Sequence, residues 1–132
     1  MIILTIRTDK PESEIGLFND DKKLVYAVWQ AHRQLAETIH KKINEVLANQ
    51  GKKLDDVEGI VCYQSPGSFT GLRIGLTVGD AIAYSLDIPI VGTMETDWVE
   101  KGIENLQKSS TPLYLKRTVG SSLPRIFVIA VQ

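Results

Sequence analysis

A regular series of glycines constrains this chain more than any other feature of its sequence. Within residues 65–86 the series recurs every four positions, at Gly67, Gly71, Gly75 and Gly79, and Ala83 continues it. Apolar residues keep a helical period from 69 to 86, which predicts a helix, yet each glycine inside a helix costs about 1 kcal/mol relative to alanine. Residues four apart share one side of a helix, so the small residues form a ridge that another backbone can approach closely.

The residues beside the glycines leave two interpretations of this helix open. Its apolar arc is wide, and a polar strip remains at Arg73, Thr77, Asp80 and Tyr84. A helix with such an arc either packs entirely on its own sheet or buries one flank there and offers the other flank to a partner. Close packing offsets the glycine cost in both cases.

The rest of the chain predicts three strands, a helix, a strand, the glycine-rich helix, a strand and a last helix. The strands fall at 2–8, 14–18, 24–29, 59–63 and 88–91, with late candidates at 113–116 and 126–131, and the last helix at 95–107. The first helix shows an apolar stripe at Leu35, Ile39, Ile43, Val46 and Leu47. This order predicts an α/β fold with a mixed sheet flanked by helices. The expected core includes Leu4, Ile60, Val61, Ile74, Val78, Ile90 and Val91.

Composition narrows the class of protein. The chain has 132 residues, a length typical of one domain, and a formal net charge of -1, whereas a stand-alone nucleic-acid binder carries a clear basic excess. No apolar run approaches the roughly 20 residues of a membrane helix. Cys62 is the single cysteine, which excludes an internal disulfide and Cys-rich metal sites. We expect a cytoplasmic protein with no contact to a membrane.

The turn before the glycine-rich helix is a candidate anion site. Backbone N–H groups and the helix dipole converge at such a turn, and Gly67, Ser68 and Thr70 are the candidate cofactor-binding residues. The segment lacks both the Gly-Lys-Ser/Thr of a Walker A loop and the G-x-G-x-x-G spacing. The alternative is a structural turn in which Ser68 caps the helix.

The run SPGSFTGLRIG, preceded by GIVCYQ and followed by LDIPIVG, resembles the signature of the TsaB family, also called YeaZ. Only Ser65 departs from that signature, which has glycine there. The resemblance implies a ribonuclease-H-like lobe of the actin-like ATPase superfamily. It also implies a role in making N6-threonylcarbamoyladenosine in tRNA, in which TsaB is the non-catalytic partner of the catalytic TsaD and the ATPase TsaE joins them.

The chain also departs from that family. Family members are two-lobed and longer, so we predict that residues 1–132 form one domain like the N-terminal lobe, in which 109–132 are a remnant connector with terminal strands. The first strand of the superfamily normally carries an aspartate into the phosphate loop, and here Arg7 stands at that place. Leu35 stands where the family has a histidine near the start of the first helix.

Residue patterns typical of catalysis are missing from the sequence. His32 and His40 are eight residues apart and do not form the paired-histidine motif by which TsaD holds metal, so we interpret both as helix-surface residues. Neither Ser68 nor Thr70 has a base in a recognisable motif relationship. We predict no catalytic residue, no metal site and no cofactor.

The resemblance implies a partner interface along the first two helices. Its predicted residues are Leu35, Ile39, Ile43, Gly71, Arg73, Gly75, Thr77, Gly79 and Asp80. The implied partners are TsaD in a heterodimer, TsaE, and a second copy when TsaD is absent, with tRNA reached only through the complex.

The alternatives to a partner subunit are a small ATP-dependent enzyme on the same core, a ribonuclease-H-like nuclease and a self-associating structural protein. Arg7 argues against both enzymes, because a metal–nucleotide site and a two-metal nuclease each need carboxylates.

Overall fold

The computed structural model describes residues 1–66, 69–94 and 96–108, without the side chains of His32, Ser65 and Phe69. Five strands form one sheet in the order β3-β2-β1-β4-β5. They are β1 (Ile2–Arg7), β2 (Glu12–Asn19), β3 (Lys22–Gln30), β4 (Gly59–Ser65) and β5 (Ile90–Met94). The first three strands run antiparallel to one another, whereas β1, β4 and β5 run parallel. The predicted mixed sheet is confirmed, and the strand candidates at 113–116 and 126–131 lie outside the described residues.

The strands β2 and β3 are joined by a tight turn at Asp20 and Asp21. Its residue Asp20 has a φ of 52°, a left-handed conformation that aspartate tolerates better than most residues. The carboxylate of Asp20 also lies 3.2 Å from the amino-terminal nitrogen of Met1, which ties the start of β1 to this turn.

In the part of the chain that the structure describes, three α-helices cover the sheet: α1 (Leu35–Asn49), α2 (Phe69–Leu86) and α3 (Trp98–Lys108). Ile6 and Ile15 are paired in register and point to one face, where Ile6 lies under α2. On that same face Trp29 of β3 donates a hydrogen bond to Thr38 of α1. Val61 points to the opposite face and lies against Gly102 of α3. The helices α1 and α2 therefore share one face, and α3 covers β4 and β5 on the other.

The core follows most of the predicted pattern. Leu4, Ile60, Val61, Ile90 and Val91 are buried as expected. Ile74 and Val78 are only partly buried, which corrects their prediction as core residues. Both lie beside the glycine side of this helix, which occupies the contact with the strands, and they pack against the core from there.

Two element boundaries differ from the sequence prediction for a local reason. We expected a strand from residue 88, but the N–H of Ile88 donates to the carbonyl of Ala83 and Asp87 has a φ of 56°. This contact closes the end of α2 after Leu86, and β5 begins at Ile90. The last helix begins at Trp98 rather than at 95, and Trp98 is buried whereas Trp29 is only partly so. Among the residues described, no helix combines the length and the apolar character needed to cross a membrane.

Candidate functional site: the loop cluster and the helix α2

The loops that follow β1 and β4 meet at one edge of the sheet, because these neighbouring strands are parallel. Thr8 follows β1 directly and is buried. Its Oγ1 donates a hydrogen bond of 2.7 Å to the carbonyl oxygen of Gly71, in the first turn of α2. The β1–β2 loop is thereby attached to the start of the glycine-rich helix.

Arg7, the last residue of β1, forms an ion pair with Asp9. Its Nε lies 2.7 Å from Asp9 Oδ1 and its Nη2 lies 3.2 Å from Oδ2, so the pair has two hydrogen bonds. The guanidinium also lies 3.9 Å from the centre of the Tyr63 ring, at a cation–π distance. The hydrogen bond to Asp9 raises the pKa of the Arg7 guanidinium. The arginine at the end of β1 is thus neutralised by a carboxylate of its own loop, which the sequence reasoning did not find.

The glycine series of α2 packs on the chain's own sheet. A Cβ at Gly75 would collide with the Thr8 side chain, one at Gly71 would collide with the Thr8 carbonyl, and one at Gly79 would lie 2.6 Å from Cys62 Sγ. Real Cβ atoms essentially never come so close to other atoms. These three glycines therefore allow α2 to lie directly on β1 and β4, which is the internal interpretation of the spacing.

Of the other six predicted interface residues, three are buried in the core and three are exposed or partly exposed. Leu35, Ile39 and Ile43 are buried in the core under α1, so they are not available to a partner in this conformation. On α2, Arg73 and Thr77 are exposed and Asp80 is partly exposed. Five exposed positions of this helix, which we call the outer face of α2, are Thr70, Arg73, Thr77, Ala81 and Tyr84.

Two cavities flank the end of β1. One has a volume of about 410 Å³ and lies between the β1–β2 loop and the starts of α1 and α2; it is lined by Thr8, Asp9, Lys10, Pro11, Arg33, Leu35, Thr70, Gly71 and Ile74. Thr70 is the one candidate anion-binding residue that the structure places there, since Gly67 and Ser68 lie outside the described residues. The Asp9 carboxylate and the exposed cations Lys10 and Arg33 make one side of this lining polar, whereas Leu35 and Ile74 are its apolar side chains from the helices.

The second cavity, of about 420 Å³, lies on the opposite face of the sheet beside the start of α3. Its lining includes Arg7, Glu14, Tyr26, Trp98 and Glu100. The hydroxyl of Tyr26 donates a 2.5 Å hydrogen bond to Glu14, and burial, followed by this bond, raises the pKa of Tyr26. The complete lining contains equal numbers of acidic and basic side chains, and it includes aromatic rings.

Polar residues elsewhere in the described chain have structural or surface positions. Asp56 accepts a hydrogen bond of 2.8 Å from the N–H of Lys53 and caps a 3₁₀ turn (Leu54–Asp56), in which Asp55 and Asp56 are both exposed. His40 is exposed on α1. Within residues 1–66, 69–94 and 96–108, no group of three His, Cys, Asp or Glu side chains is placed to hold a metal ion.

The fold assigns the chain to the ribonuclease-H-like α/β proteins. YeaZ from Pseudomonas aeruginosa superposes with a TM-score of 0.68 at 20% identity, over 82% of this chain and 50% of that one. The Thermus thermophilus RuvC structure superposes with a TM-score of 0.50 at 14% identity, over 71% of this chain and 64% of that one. These likenesses establish the fold, as the sequence predicted.

Sequence comparison establishes the family. Residues 29–115 match the family described as TsaD, tRNA N6-adenosine threonylcarbamoyltransferase. The TsaB protein of Bacillus subtilis is 32% identical over 73% of this chain and 43% of its own length. The tRNA N6-adenosine threonylcarbamoyltransferase of Geotalea uraniireducens is 34% identical over 68% of this chain and 30% of its own length. The chain belongs to the family whose model matches residues 29–115, and its resemblance to TsaB (YeaZ) is confirmed. It spans less than half of the length of these curated relatives.

Proposed function

We propose that the chain acts in the biosynthesis of N6-threonylcarbamoyladenosine in tRNA, as a non-catalytic subunit that binds and supports TsaD. The observation that carries the proposal is its family membership, with relatives named both as TsaB biosynthesis proteins and as threonylcarbamoyltransferases. Because TsaB and TsaD are related to each other, a chain with a TsaB-like lobe has a structurally similar partner in the same pathway.

The end of β1 supports a non-catalytic role. The position where the superfamily has a carboxylate holds Arg7, whose charge is already satisfied by Asp9. A guanidinium cannot ligate magnesium, and magnesium nucleotide sites use carboxylate and phosphate oxygens. His32 and His40 also lack the spacing of the histidine pair that the resemblance assigns to TsaD.

The outer face of α2 and the adjacent outer side of α1 form the proposed contact surface. The helix α2 is well fixed on the sheet by its glycines, so its outer residues have defined positions for a partner. Tyr84 is 54% exposed there, and an aromatic side chain is typical of the residues that contribute most to interfaces. The polar residues Arg73, Thr77 and Asp80 would lie at the edge of the contact.

TsaD in a heterodimer is the proposed main partner. TsaE is expected to join through that complex, tRNA is reached only as its substrate, and two copies of the chain use the same surface when TsaD is absent. We place the complex in the cytoplasm, where tRNA is modified, and we assign it no cofactor bound by this chain.

A mixing experiment with the TsaD of the same organism tests the proposal. The chain, TsaD and their mixture are compared by light scattering for complex formation, and with TsaE for ATP turnover and modified tRNA. We expect a one-to-one complex and modified tRNA only when both proteins are present. TsaD that is fully active alone and remains separate from the chain would contradict the proposal.

A small ATP-dependent enzyme is the second candidate, because a cavity of about 410 Å³ with Lys10 and Arg33 in its lining adjoins the start of α2. Calorimetry with ATP and MgCl₂ separates the two candidates. Micromolar binding that Thr70→Val abolishes would favour the enzyme, whereas the partner-subunit proposal predicts no binding heat.

A further inference from the structure

Among the described residues, two contacts join the end of β1 and the β1–β2 loop to β4 and the start of α2, and a third extends them to Pro66. Thr8 binds the Gly71 carbonyl, and the Arg7 guanidinium lies over the Tyr63 ring. The hydroxyl of Tyr63 in turn donates a 2.6 Å hydrogen bond to the carbonyl oxygen of Pro66. We call the residues Arg7, Thr8, Asp9 and Tyr63 the loop clamp. Its contacts reach Pro66, which follows β4, and Gly71 in the first turn of α2.

Arg7 and Asp9 are the charged part of the loop clamp, and both are largely removed from water. The exposed fractions of their side chains are 18% and 6%, so the Asp9 carboxylate needs a cation beside it. Glu14 is paired in register with Arg7 on the neighbouring strand and adds a second negative charge near the guanidinium. A bidentate guanidinium–carboxylate pair fixes the relative orientation of both groups, which a single point charge does not.

We propose that Arg7 is a positioning residue: it is the resident cation of the loop clamp and holds the first turn of α2 against the β1–β2 loop without any bound ligand. The positive charge between the Asp9 carboxylate of the loop and the Glu14 carboxylate of β2 is therefore the Arg7 guanidinium, which belongs to the chain itself. Tyr63 links the guanidinium to the residues before α2, and Thr8 links the β1–β2 loop to Gly71.

The consequence for the proposed function is that partner binding does not depend on a ligand of this chain. A ligand changes the affinity for a partner only if it changes the conformation or order of the partner-binding surface. Because the loop clamp already fixes the first turn of α2, magnesium nucleotide has no such change to make. This consequence rests on the proposed function, whereas the loop clamp itself can be tested without a partner.

Hydrogen exchange of the isolated chain, followed by mass spectrometry, tests the role of Arg7. In Arg7→Met we expect the amides at 8–10 and 70–74 to exchange about tenfold faster, because a charge-assisted pair is lost and a carboxylate is left without its cation. The β2–β3 hairpin should exchange as in the wild type. Lys10→Met is the matched control, since Lys10 is an exposed cation of the same loop, and it should leave the pattern unchanged.

The conservative variant distinguishes positioning from a general loss of stability. Arg7→Lys keeps the charge without the two-pronged geometry, so its exchange at 70–74 should lie between the wild type and Arg7→Met. MgCl₂ with ATP should leave the wild-type pattern unchanged. Unaltered exchange at 70–74 in Arg7→Met, an equal increase in all segments, or protection of the wild type by magnesium ATP would each contradict the proposal.

A double variant keeps the test decisive if Arg7→Met does not fold. Arg7→Met with Asp9→Leu removes both charges, which proteins often tolerate better than one unpaired charge. We expect the double variant to fold and to show the same faster exchange at 70–74. Native protection of that segment in the folded double variant would show that the ion pair does not position α2.

Discussion

The helices α1 and α2 lie on the same face of the sheet and pack there by opposite means. The inner side of α1 consists of branched aliphatic side chains, among them Leu35, Ile39 and Ile43, which fill the space above β2 and β3. The inner side of α2 instead presents glycines, and its backbone lies directly on Thr8 and Cys62. A helix that packs through large side chains tolerates adjustment of its distance, whereas a helix that packs through glycines has its distance set by the backbone. The closer helix is therefore the better platform for a defined contact.

The largest expected effect comes from truncating the inner side of α1. Ile39 is completely buried, so Ile39→Ala should lower the free energy of unfolding by about 4 kcal/mol, through lost burial and the cavity left behind. Urea unfolding measures the change, with Glu37→Ala at an exposed position of the same helix as the control. A loss under about 1 kcal/mol would show that α1 settles onto the sheet and fills the space.

Adding a side chain between α2 and the sheet is the inverse change, and it tests the close packing of α2. Gly79→Leu should destabilise the chain by about 3 kcal/mol, because the new side chain meets Cys62, Ile90 and Ile6. Helix propensity alone predicts a gain of roughly 0.8 kcal/mol from this substitution, so the sign of the change decides which effect dominates. Thermal unfolding of Gly79→Leu is compared with that of Ala81→Leu, at an exposed position. A Gly79→Leu chain more stable than the wild type would contradict the close packing of α2.

A pH titration sharpens the comparison, because Cys62 lies under α2. Burial raises the pKa of the Cys62 thiol, so the unfolded chain loses the thiol proton at a lower pH than the folded chain does. Stability is therefore unaffected below the ordinary thiol pKa of about 8.5 and falls above it, by at most about 1.4 kcal/mol per pH unit.

Urea unfolding between pH 8 and pH 10 measures this slope in the wild type and in Cys62→Ala, where the thiol contribution is absent. Tyr26, whose pKa is also raised, begins to titrate in the unfolded chain toward pH 10, but it does so in both proteins, so the difference between their slopes reports the thiol alone. Equal slopes in the two proteins would mean that the thiol is not shielded by α2.

The smallest expected effect on stability belongs to the outer face of α2. Thr77→Arg places a long side chain at an exposed position, and the free energy of unfolding should change by less than about 0.5 kcal/mol. Thermal unfolding checks this value. A larger loss would show that Thr77 has a structural role and would disqualify the variant as a test of binding.

The sequence predicted which side of α1 is buried, but it did not predict which side of α2 is. The stripe of α1 identified its buried residues, because a narrow apolar face with long side chains has one possible inner side. The bounds of α2 were also predicted, but its wide apolar arc did not reveal which flank faces the sheet. Ile74 and Val78 were placed in the core for that reason, although the glycines occupy the contact.

The candidate site was less predictable than the fold. Arg7 was recognised as a departure, yet its pairing with Asp9 requires the turn after β1, and its contact with Tyr63 requires that β1 and β4 be neighbours. Asp9 was overlooked although it is only two residues from Arg7. An opposite charge at that spacing in a turn is the local signal that was available.

Binding of TsaD to two matched variants tests the central claim most directly. Thr77→Arg adds an arginine to the outer face of α2, and Gln107→Arg adds one to an exposed position of α3, on the opposite face of the sheet. Calorimetric titration with TsaD should show an affinity at least about tenfold weaker for Thr77→Arg, a loss of about 1.4 kcal/mol, since the long charged side chain holds the partner away from the outer face of α2. Gln107→Arg should bind as the wild type does. Equal affinities of the two variants, or a loss confined to Gln107→Arg, would contradict the claim that the outer face of α2 binds the partner.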